Sequence, residues 1–401
     1  MRDLIFVSME NWDDIWRRNQ FLCAGFLRRF PDLRILFVGL PRDVSHAVRS
    51  GHLAAVRAPQ LLHPPGYPAI TLCRPAKYLP TSLALGRRCN DWVFRRTVAA
   101  AARTIGMERP VLWLNPHYAV HMVGRIPAAR IIYDITDDWI ELTQSAFIKQ
   151  LTIAQDAQLC RRVDSVIVCS QKLYELKQPL ARDLHMIPNG VDAAHYHSVA
   201  QPYAQNGSAS AAIPAAARAW PKPVLGYTGT IHPDRLDVDL VEKMARGLTA
   251  GSIVLIGPNL LSPADIKRLK ATGKVFLHPA VPYREIPNFM RAFDICITPH
   301  RVTPFTESLN PIKLWEYLAA GKPIISTPVA GFRDYPQHVY LAADAPSFLA
   351  AVPVALREPA PKIAARLEAA AHHSWDARIA QIVPLLEPDT VTLAARQVVL
   401  A

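Results

Sequence analysis

Several features that would place a chain of this length in a familiar class are missing from its sequence. The six cysteines form neither a C-x-x-C pair nor a zinc-type spacing with histidine, which indicates free thiols rather than a zinc site. No uninterrupted apolar run reaches the length of a transmembrane helix. No G-x-G-x-x-G follows the first predicted strand, which argues against a nicotinamide-dependent oxidoreductase. RNP-like aromatics and basic-zipper heptads are also lacking, so nucleic acid is not the expected partner.

The composition that remains is that of a globular protein with more than one core. Half of the 401 residues are hydrophobic, and a chain of this length exceeds the size of one ordinary core. The 35 prolines are scattered, which indicates many short connections rather than disorder. The formal net charge is +12, and most of the excess lies in residues 1–200. A basic N-terminal half predicts an anionic partner, such as phosphate groups or anionic lipid.

Two further features bear on localisation. The N-terminus, MRDLIFVSMENW, becomes polar too soon for a signal peptide. Cys23, Cys169 and Cys296 lie within apolar segments, as buried thiols do in a reducing compartment. We therefore expect a cytoplasmic protein, with peripheral contact at the cytoplasmic face of the inner membrane as a further expectation.

Short apolar runs alternate with amphipathic helical stretches along the chain, which predicts an α/β fold with parallel sheets. The runs that fit buried strands are 4–8, 35–38, 69–72, 111–114, 130–133, 165–169, 224–227, 252–256, 275–277, 295–298 and 323–326. Residues 193–223 are rich in Ala, Ser, Pro and Gly with little periodicity, and they read as a linker. We therefore predict two Rossmann-like domains, residues 1–192 and 224–373, with a ligand in the cleft at the carboxyl ends of the strands.

Residues 306–327, TESLNPIKLWEYLAAGKPIIST, carry the clearest chemical signal. Asn310 can cap a helix and Pro311 suits its first position. A helix start offers free N–H groups and a positive dipole end to an anion, and the ammonium group of Lys313 would add to them. Glu316, one turn deeper, is then placed for hydroxyl groups attached to that anion. A phosphate joined to a polyol suggests a sugar nucleotide.

Five landmarks in the second half then occur in a familiar order. They are IPNGVD (187–192), GYTGTIHPDRLD (226–237), HPAVPYREIPNFMRAFDICITP (278–299), the segment 306–327, and SWDARIAQIVPLL near the end. In this order they resemble the GT-B-fold glycosyltransferases, and most closely the retaining glycosyltransferase family 4 of bacterial polysaccharide assembly. The resemblance implies two Rossmann-like domains facing a central cleft. The first would bind the acceptor and the second the nucleotide sugar, and residues 374–401 would carry a C-terminal helix back to the first domain.

The resemblance also implies a set of donor-binding positions. They are Thr228, Gly229, Thr230, Val281, Glu307, Ser308, Asn310, Pro311, Ile312 and Glu316. In the family, a glutamate at the position of Glu316 contacts the ribose of the donor. A second glutamate, eight positions earlier, contacts the donor sugar, but this chain has Ser308 there and Glu307 beside it.

Catalysis would depend on cations at the leaving diphosphate, because charge builds on its oxygens. The family's basic residue after the glycine loop is Thr230 here, so Arg235 is the nearest cation, and we predict that Arg235 and Lys313 clamp the diphosphate. Each has an alternative interpretation. Lys313 could pair with Glu316 on the helix surface, and Arg235 could be solvated beside the acidic helix that follows it. Gly229 could serve only a tight turn, rather than a close approach of phosphate to the backbone.

Three groups of residues in the first half are further candidates for catalysis and acceptor binding. His117 follows a buried strand, where the family has a histidine lining the sugar pocket; a core or capping histidine is the alternative. Asp134, Asp137 and Asp138 follow the next strand, and one could accept the proton of the acceptor hydroxyl; the alternative for Asp137 or Asp138 is a helix cap. The candidate acceptor-binding residues after the first strand are Trp12, Arg18 and Gln20. Arg18 could instead be an exposed helix residue.

The sequence therefore predicts a hexosyl-type glycosyltransferase of exopolysaccharide or cell-envelope assembly. We expect it to use a nucleotide-diphosphate sugar, a lipid-linked or saccharide acceptor, no metal and no cofactor, with retention implied by the resemblance. Arginines 87, 88, 95 and 96 lie beside apolar residues on one predicted helix, which suits a membrane surface or a lipid diphosphate, although a solvated helix face is the alternative. The alternative functions are a sugar-nucleotide epimerase of the same fold and a catalytically degenerate scaffold subunit.

Overall fold

The computed structural model describes residues 1–49, 61–142, 144–200 and 213–387, and these residues contain two large parallel sheets and a small two-stranded one. The strands of the first half are β1 (Asp3–Val7), β2 (Arg34–Val38), β3 (Arg42–Asp43), β4 (Ile70–Cys73), β5 (Ala76–Lys77), β6 (Val111–Leu114), β7 (Arg130–Ile135), β8 (Ser165–Val168) and β9 (Leu184–Met186). Seven of them pair in the order β4-β2-β1-β6-β7-β8-β9, while β3 pairs with β5. Residues 201–212 of the predicted linker and 388–401 of the predicted tail lie outside the described residues.

The second sheet has six strands in the part of the chain that the structure describes. They are β10 (Val224–Thr228), β11 (Ser252–Ile256), β12 (Val275–His278), β13 (Ile295–Thr298), β14 (Ile324–Ser326) and β15 (Tyr340–Leu341). They pair in parallel in the order β12-β11-β10-β13-β14-β15. Because helices cover both faces of such sheets, the central strands are buried throughout, which is why they read as unbroken apolar runs.

The helices pack on both faces of the two sheets. They are α1 (Arg18–Arg29), α2 (Val44–Arg49), α3 (Ala84–Thr104), α4 (Ala146–Arg162), α5 (Gln171–Lys177), α6 (Ala193–Ala200), α7 (Ala215–Arg218), α8 (Val238–Gly247), α9 (Pro263–Lys270), α10 (Ile286–Met290), α11 (Pro304–Glu307), α12 (Ile312–Ala319), α13 (Ala345–Ala355), α14 (Ala360–Ala371) and α15 (Trp375–Leu386). None of these described helices has both the length and the apolar character needed to cross a bilayer.

The architecture confirms the predicted α/β fold with two Rossmann-like sheets. The last helix, α15, returns to the first sheet, where Trp375, Ile379 and Ile382 join the core beside α1. The rings of Trp375 and Phe21 stack with their centroids 4.8 Å apart. Burying such large apolar side chains stabilises the crossing by about 2 kcal/mol each.

The first part of the predicted linker is helical in the structure. Residues 193–200 form α6, and Tyr196 is fully buried in the second core together with Val199. Trp220, close to β10, belongs to the same core. The alanines that suggested a linker are strong helix formers, and the apolar side chains recur at helical spacing among them.

The chain crosses between the two sheets at two places that touch each other. The N–H group of Val191 donates to the carbonyl oxygen of His373 at 2.8 Å, and that of Trp375 donates to Val191 at 3.3 Å. Gly190 lies against this contact, because a Cβ atom there would stand 2.9 Å from the backbone nitrogen of Trp375. The absence of a side chain at residue 190 therefore lets the two crossings pack together.

One amide side chain ties the crossing to both sheets, and we call its set of contacts the Asn189 hub. The guanidinium group of Arg18 donates to both carboxylate oxygens of Asp134, at 2.9 and 3.0 Å, and to Oδ1 of Asn189 at 3.1 Å. Asn189 in turn donates its backbone N–H and its Nδ2 to Asn310, at 2.9 and 2.6 Å. Nε of Arg378 donates to the carbonyl oxygen of Asn189 at 3.2 Å. The buried ion pair of Arg18 and Asp134 thus positions Asn189, and the two hydrogen bonds from Asn189 to Asn310 join the first domain to the second.

Candidate active site

A cavity of about 360 Å³ lies between the two sheets, at the carboxyl ends of their strands. This is where parallel sheets of this kind bind ligands. Its walls include Gly229 and charged residues of both halves, namely Glu10, Arg17, Asp137, Arg235 and Lys313. Both domains therefore contribute charged groups to the same cavity.

The start of α12 forms one wall of the cavity, but its capping differs from the prediction. Pro311 is the N-cap residue, no side chain caps this end, and Ile312 begins the helix. Oδ1 of Asn310, expected to cap the helix, instead accepts a hydrogen bond in the Asn189 hub. The helix end thus lies uncapped at the cavity, next to Asn310, Pro311 and Ile312 of its lining, where it can receive an anion.

Lys313 lies in the first turn of α12 and reaches back across the cavity wall. Its Nζ atom is 5.3 Å from the ring centroid of Tyr227. Burial lowers the pKa of Lys313 to about 8, with Arg235 adding to the decrease and Glu316 opposing it. A cation held near other cations in a partly desolvated site gains when a diphosphate binds beside it.

Gly229, directly after β10, makes room for Lys313. Its φ is +131°, and a Cβ atom there would lie 2.2 Å from Cε and 2.4 Å from Nζ of Lys313. A side chain would therefore displace the ammonium group and strain the backbone. Thr228 and Thr230 flank this turn, and both line the cavity, as does Val281.

Arg235 faces the cavity rather than the acidic helix that follows it. Its Nη2 atom is 3.7 Å from Oδ1 of Asp137 on the other domain, and its guanidinium carbon is 5.2 Å from the ring centroid of Phe305. The acids of α8 have other partners, since Asp239 and Glu242 pair with Arg268 at 2.6 and 2.7 Å. The alternative interpretation of Arg235 as their solvated partner is therefore wrong.

Glu316 lines the same cavity one turn below Lys313. Its Oε1 atom accepts a hydrogen bond of 2.8 Å from the hydroxyl group of Tyr196. Burial raises the pKa of Glu316, opposed by the Tyr196 hydrogen bond and the charge of Lys313. The carboxylate is thus held in place by α6 and can accept hydrogen bonds from further hydroxyl groups.

Glu307 and Ser308 lie apart from this cavity, in contrast to the prediction that they contact the donor sugar. Glu307 forms an ion pair of 2.6 Å with Arg333. Ser308 is fully buried, and its Oγ accepts from the N–H group of Asp138 at 3.1 Å while its carbonyl oxygen accepts from Ser170. Both residues connect structural elements around α11 instead of facing the cavity.

The three aspartates after β7 have different surroundings. Asp134 is fully buried and held by Arg18, so it is not free to accept a proton, and Arg18 is not the exposed helix residue of the alternative interpretation. Asp137 lines the cavity. Oδ1 of Asp138 accepts from the N–H group of Ile140, and burial raises the pKa of its carboxyl. Neither Asp137 nor Asp138 caps a helix, because α4 begins later and is capped by Ser145.

Three other predicted site residues do not line the cavity. His117 begins a short 3₁₀ helix, its Nε2 atom lies 3.3 Å from Oγ1 of Thr152, and burial lowers its pKa. Trp12 packs edge-on against Phe37. The side chain of Gln20 accepts from the N–H group of Arg17 and donates to the preceding loop. These contacts are structural ones that support the loops around the cavity.

Some residues of the cavity escaped the sequence analysis. Glu10 and Arg17 follow β1 and lie in the lining; the strand-end rule that selected Asp137 applies to them equally. His300, which follows β13, is buried beside Tyr227, with 3.2 Å between its Nε2 and the phenol oxygen. Tyr196, which is not part of the lining but donates a hydrogen bond to Glu316, lies in the predicted linker.

The whole architecture resembles solved structures over nearly its full length. Sucrose-phosphate synthase (tll1590) from Thermosynechococcus elongatus superposes with a TM-score of 0.68 at 15% identity, covering 96% of this chain and 98% of the other. Anabaena Alr3699/HepE in complex with UDP and glucose gives 0.63 at 15% identity, covering 96% and 99%. This chain has the GT-B glycosyltransferase fold. An E. coli trehalose-6-phosphate structure bound with UDP-2-fluoro glucose has the same fold, with a TM-score of 0.65 at 11% identity, covering 96% and 98%.

Similarity at the level of sequence is found with one family and with one curated relative. Residues 222–358 match the family described as glycosyl transferases group 1. TuaH of Bacillus subtilis (strain 168), whose name assigns it to teichuronic acid biosynthesis as a glycosyltransferase, is 26% identical over 212 residues. That alignment covers 49% of this chain and 50% of TuaH, so the chain matches about half the length of this relative. The matched family segment contains Gly229, Arg235, Lys313 and Glu316.

We predict that diphosphate binding depends on the charge of Lys313. Because its pKa is lowered to about 8, the ammonium form is lost as pH rises through that value, and affinity for UDP or pyrophosphate should fall there. Lys313→Met should weaken binding at least tenfold, about 1.4 kcal/mol, and should abolish this pH dependence. Calorimetry in buffers of different ionisation enthalpy measures both effects. Lys270→Met, on the exposed side of α9, is the matched control; equal affinities for Lys313→Met and wild type would contradict the assignment.

We also predict that Gly229→Ala acts through Lys313. The new Cβ would take the place of the lysine terminus, so diphosphate affinity should fall about as far as in Lys313→Met. The unfavourable φ should cost about 1–3 kcal/mol of unfolding free energy. Gly273→Ala is the control, because Gly273 also has a positive φ but no atom within 4 Å of its added Cβ. That variant should lose stability and keep its affinity; unchanged binding in Gly229→Ala would show that Lys313 is not held against this turn.

Proposed function

We propose that this protein transfers a hexose from a nucleoside-diphosphate sugar to a hydroxyl group of a saccharide or lipid-linked acceptor, with retention at the anomeric carbon. The observation that carries the proposal is the convergence of Lys313, Arg235 and the uncapped start of α12 on one cavity between the two domains. Those groups suit a diphosphate, and Glu316 beside them suits the hydroxyls of an attached ribose. Two solved structures of similar fold hold UDP with glucose and UDP-2-fluoro glucose, which supports the same ligand class.

The residues present can stabilise the departing diphosphate. In the transition state the bond from the anomeric carbon to the diphosphate oxygen breaks, and negative charge develops on the leaving group. Preorganised donors aimed at such charge contribute most of the stabilisation in many enzymes, at about 3–4 kcal/mol for a single donor. Lys313, Arg235 and the amides at the start of α12 supply such donors in this cavity. We propose that the transfer requires no metal, so activity should survive EDTA.

The acceptor side of the proposal is supported by an exposed face of α3. Leu85, Arg88, Trp92 and Arg96 follow one another at helical spacing and are all exposed, Leu85 to 76% and Trp92 to 52%. The guanidinium carbon of Arg96 lies 4.9 Å from the ring centroid of Trp92. A helix face that combines exposed apolar side chains with arginines suits the interface of an anionic bilayer.

Another arginine of α3 contacts the helix that follows the cavity-lining segment. The guanidinium carbon of Arg87 lies 5.0 Å from the ring centroid of Phe147, at the start of α4. Phe147 is 48% exposed and comes five residues after Leu142, which lines the cavity. A lipid-linked acceptor held at the membrane could thus present its saccharide to the cleft. The relation of TuaH to teichuronic acid, a cell-wall polysaccharide, supports a role in cell-envelope assembly.

The donor assignment is tested with a panel of UDP-, GDP-, ADP- and TDP-sugars. At least one should bind by calorimetry and release its nucleoside diphosphate, and Glu316→Gln should bind it at least tenfold more weakly because a hydroxyl contact is lost. Glu368→Gln, an exposed residue of α14, should behave as wild type. Failure of every nucleotide to bind would favour a scaffold subunit. Conversion of one sugar nucleotide into its epimer without any acceptor would favour an epimerase.

The membrane assignment is tested separately by sedimentation with phosphatidylglycerol-containing vesicles. Leu85→Ser combined with Trp92→Ser should lower vesicle binding at least tenfold, because two exposed apolar side chains no longer enter the interface. Leu260→Ser, at a comparably exposed leucine of the second domain, should have no effect. Wild-type binding should weaken at high salt and on neutral vesicles. Vesicle binding that is absent in wild type, or unchanged in the double variant, would contradict the assignment.

A further inference from the structure

A second cavity, of about 760 Å³, adjoins the first one. Leu309 and Asn310 line both cavities, so they stand between them. The rest of its lining comes from elements that have no part in the donor site: the start of α5 in the first domain, and α11 and the loop after β14 in the second. This second cavity is therefore built by both domains, next to the site where the donor is expected to bind.

The wall between the two cavities is held by the first domain. Ser308, which precedes the shared residues, accepts a hydrogen bond of 3.1 Å at its Oγ from the N–H group of Asp138. Its carbonyl oxygen accepts one of 2.6 Å from Oγ of Ser170. Asn310 is bonded twice to Asn189, at 2.9 and 2.6 Å. A ligand in the second cavity would therefore keep a defined position relative to the donor cavity.

The charges of the second cavity favour a neutral ligand over a phosphate. Its lining contains the cations Lys172 and Arg333 and the carboxylates of Glu175, Glu307 and Asp334. Nη1 of Arg333 lies 2.6 Å from Oε2 of Glu307, and its Nε lies 3.9 Å from Oδ1 of Asp334. Since three carboxylates face two cations, the cavity has no excess of positive charge for a phosphate group.

The hydrogen-bonding groups and the apolar groups of this cavity suit a sugar ring. Oε1 of Glu307 is shielded from solvent and has no hydrogen-bond partner among the described residues. Because the Glu307 carboxylate lines the cavity, a hydroxyl group bound there can supply the missing donor. Arg333 carries five N–H donors, more than its ion pair uses. Val302, which is 52% exposed, and Pro304 add apolar surface to the same lining.

We propose that the second cavity binds a sugar residue of the acceptor saccharide; this rests on the proposed function. The hydroxyl groups of that residue bond to Glu307 and Arg333, and its C–H groups pack on Val302 and Pro304. The neighbouring sugar of the same acceptor passes Leu309 and presents its hydroxyl group to the donor in the first cavity. Polar groups placed around an apolar surface in this way give orientation and specificity to a ligand site.

The first test is direct binding of neutral saccharides, with methyl glycosides of glucose, galactose, mannose and N-acetylglucosamine as probes in saturation-transfer NMR titrations. At least one of them should bind to wild type, and inorganic phosphate should not compete. Gln171→Trp places an indole ring in the cavity from the exposed start of α5. It should weaken binding about tenfold or more, and so should Glu307→Gln, which removes a charged acceptor. Gln178→Trp, at the other end of α5 and outside the lining, is the matched control.

The second test separates this site from the donor site. Gln171 does not line the first cavity, so Gln171→Trp should keep its affinity for UDP and its rate of nucleotide-sugar hydrolysis by water. With the bound glycoside as acceptor, KM should rise about tenfold in this variant while kcat stays at the wild-type value. Thermal unfolding verifies that Glu307→Gln, which also loses the ion pair with Arg333, remains folded.

Four outcomes would overturn the proposal: no glycoside bound by wild type, unchanged binding in Gln171→Trp, an unchanged acceptor KM in that variant, or tighter binding of phosphate than of any glycoside. Failure of the proposed function would be seen differently, because wild type would then bind a glycoside but release no nucleoside diphosphate from any nucleotide sugar.

Discussion

The Asn189 hub is the interaction on which the rest of the arrangement depends. The side chain of Asn189 receives a hydrogen bond from Arg18 of the first domain and donates one to the carbonyl oxygen of Asn310 of the second, while its backbone N–H donates to Oδ1 of Asn310. Arg18 is itself anchored on Asp134 at the end of β7. Because Asn310 directly precedes the start of α12, the hub sets where that helix end stands relative to the first domain. The ion pair is buried, so removing either partner alone would leave an uncompensated charge, at about 3–5 kcal/mol.

Because the hub fixes the helix start relative to the first domain, the two domains contribute different charged groups to the cleft. The second domain places cations and a helix start together, which is a setting for phosphate. The first domain places Glu10 and Asp137 opposite them, which is a setting for hydroxyl groups. Arg235 and Asp137 approach each other from the two sides, so the boundary between the two settings runs through that pair. A sugar bound across this boundary would have its anomeric carbon where positive and negative walls meet.

The sequence was sufficient for the fold and for half of the site. Fully buried strands such as β6, β11 and β13 give unbroken apolar runs, and their bounds were predicted as the structure has them. Lys313 was predicted because a helix start favours an anion, and Arg235 because it is the nearest cation to the basic position that the family resemblance implies; both line the cavity. Asn310 was wrongly predicted to cap α12. Asparagine suits both a helix N-cap and a hydrogen bond between domains, and the sequence alone does not distinguish the two. Glu10 was not predicted, although it follows the end of a strand. Helix α6 was not predicted because its alanine-rich composition suggested a linker, although Tyr196 and Val199 are buried.

The two crossings of the chain at Gly190 have a consequence for motion. Segments 188–191 and 373–375 run side by side between the domains and are hydrogen-bonded to each other, which is the arrangement that a hinge axis needs. A rotation about this axis would displace the Asn189 hub little and the far rim of the cleft most. Because Arg18 and Asp134 both belong to the first domain, such a rotation would leave their ion pair intact. The absence of a side chain at residue 190 lets the two segments lie close together. This close packing would define the axis of that rotation.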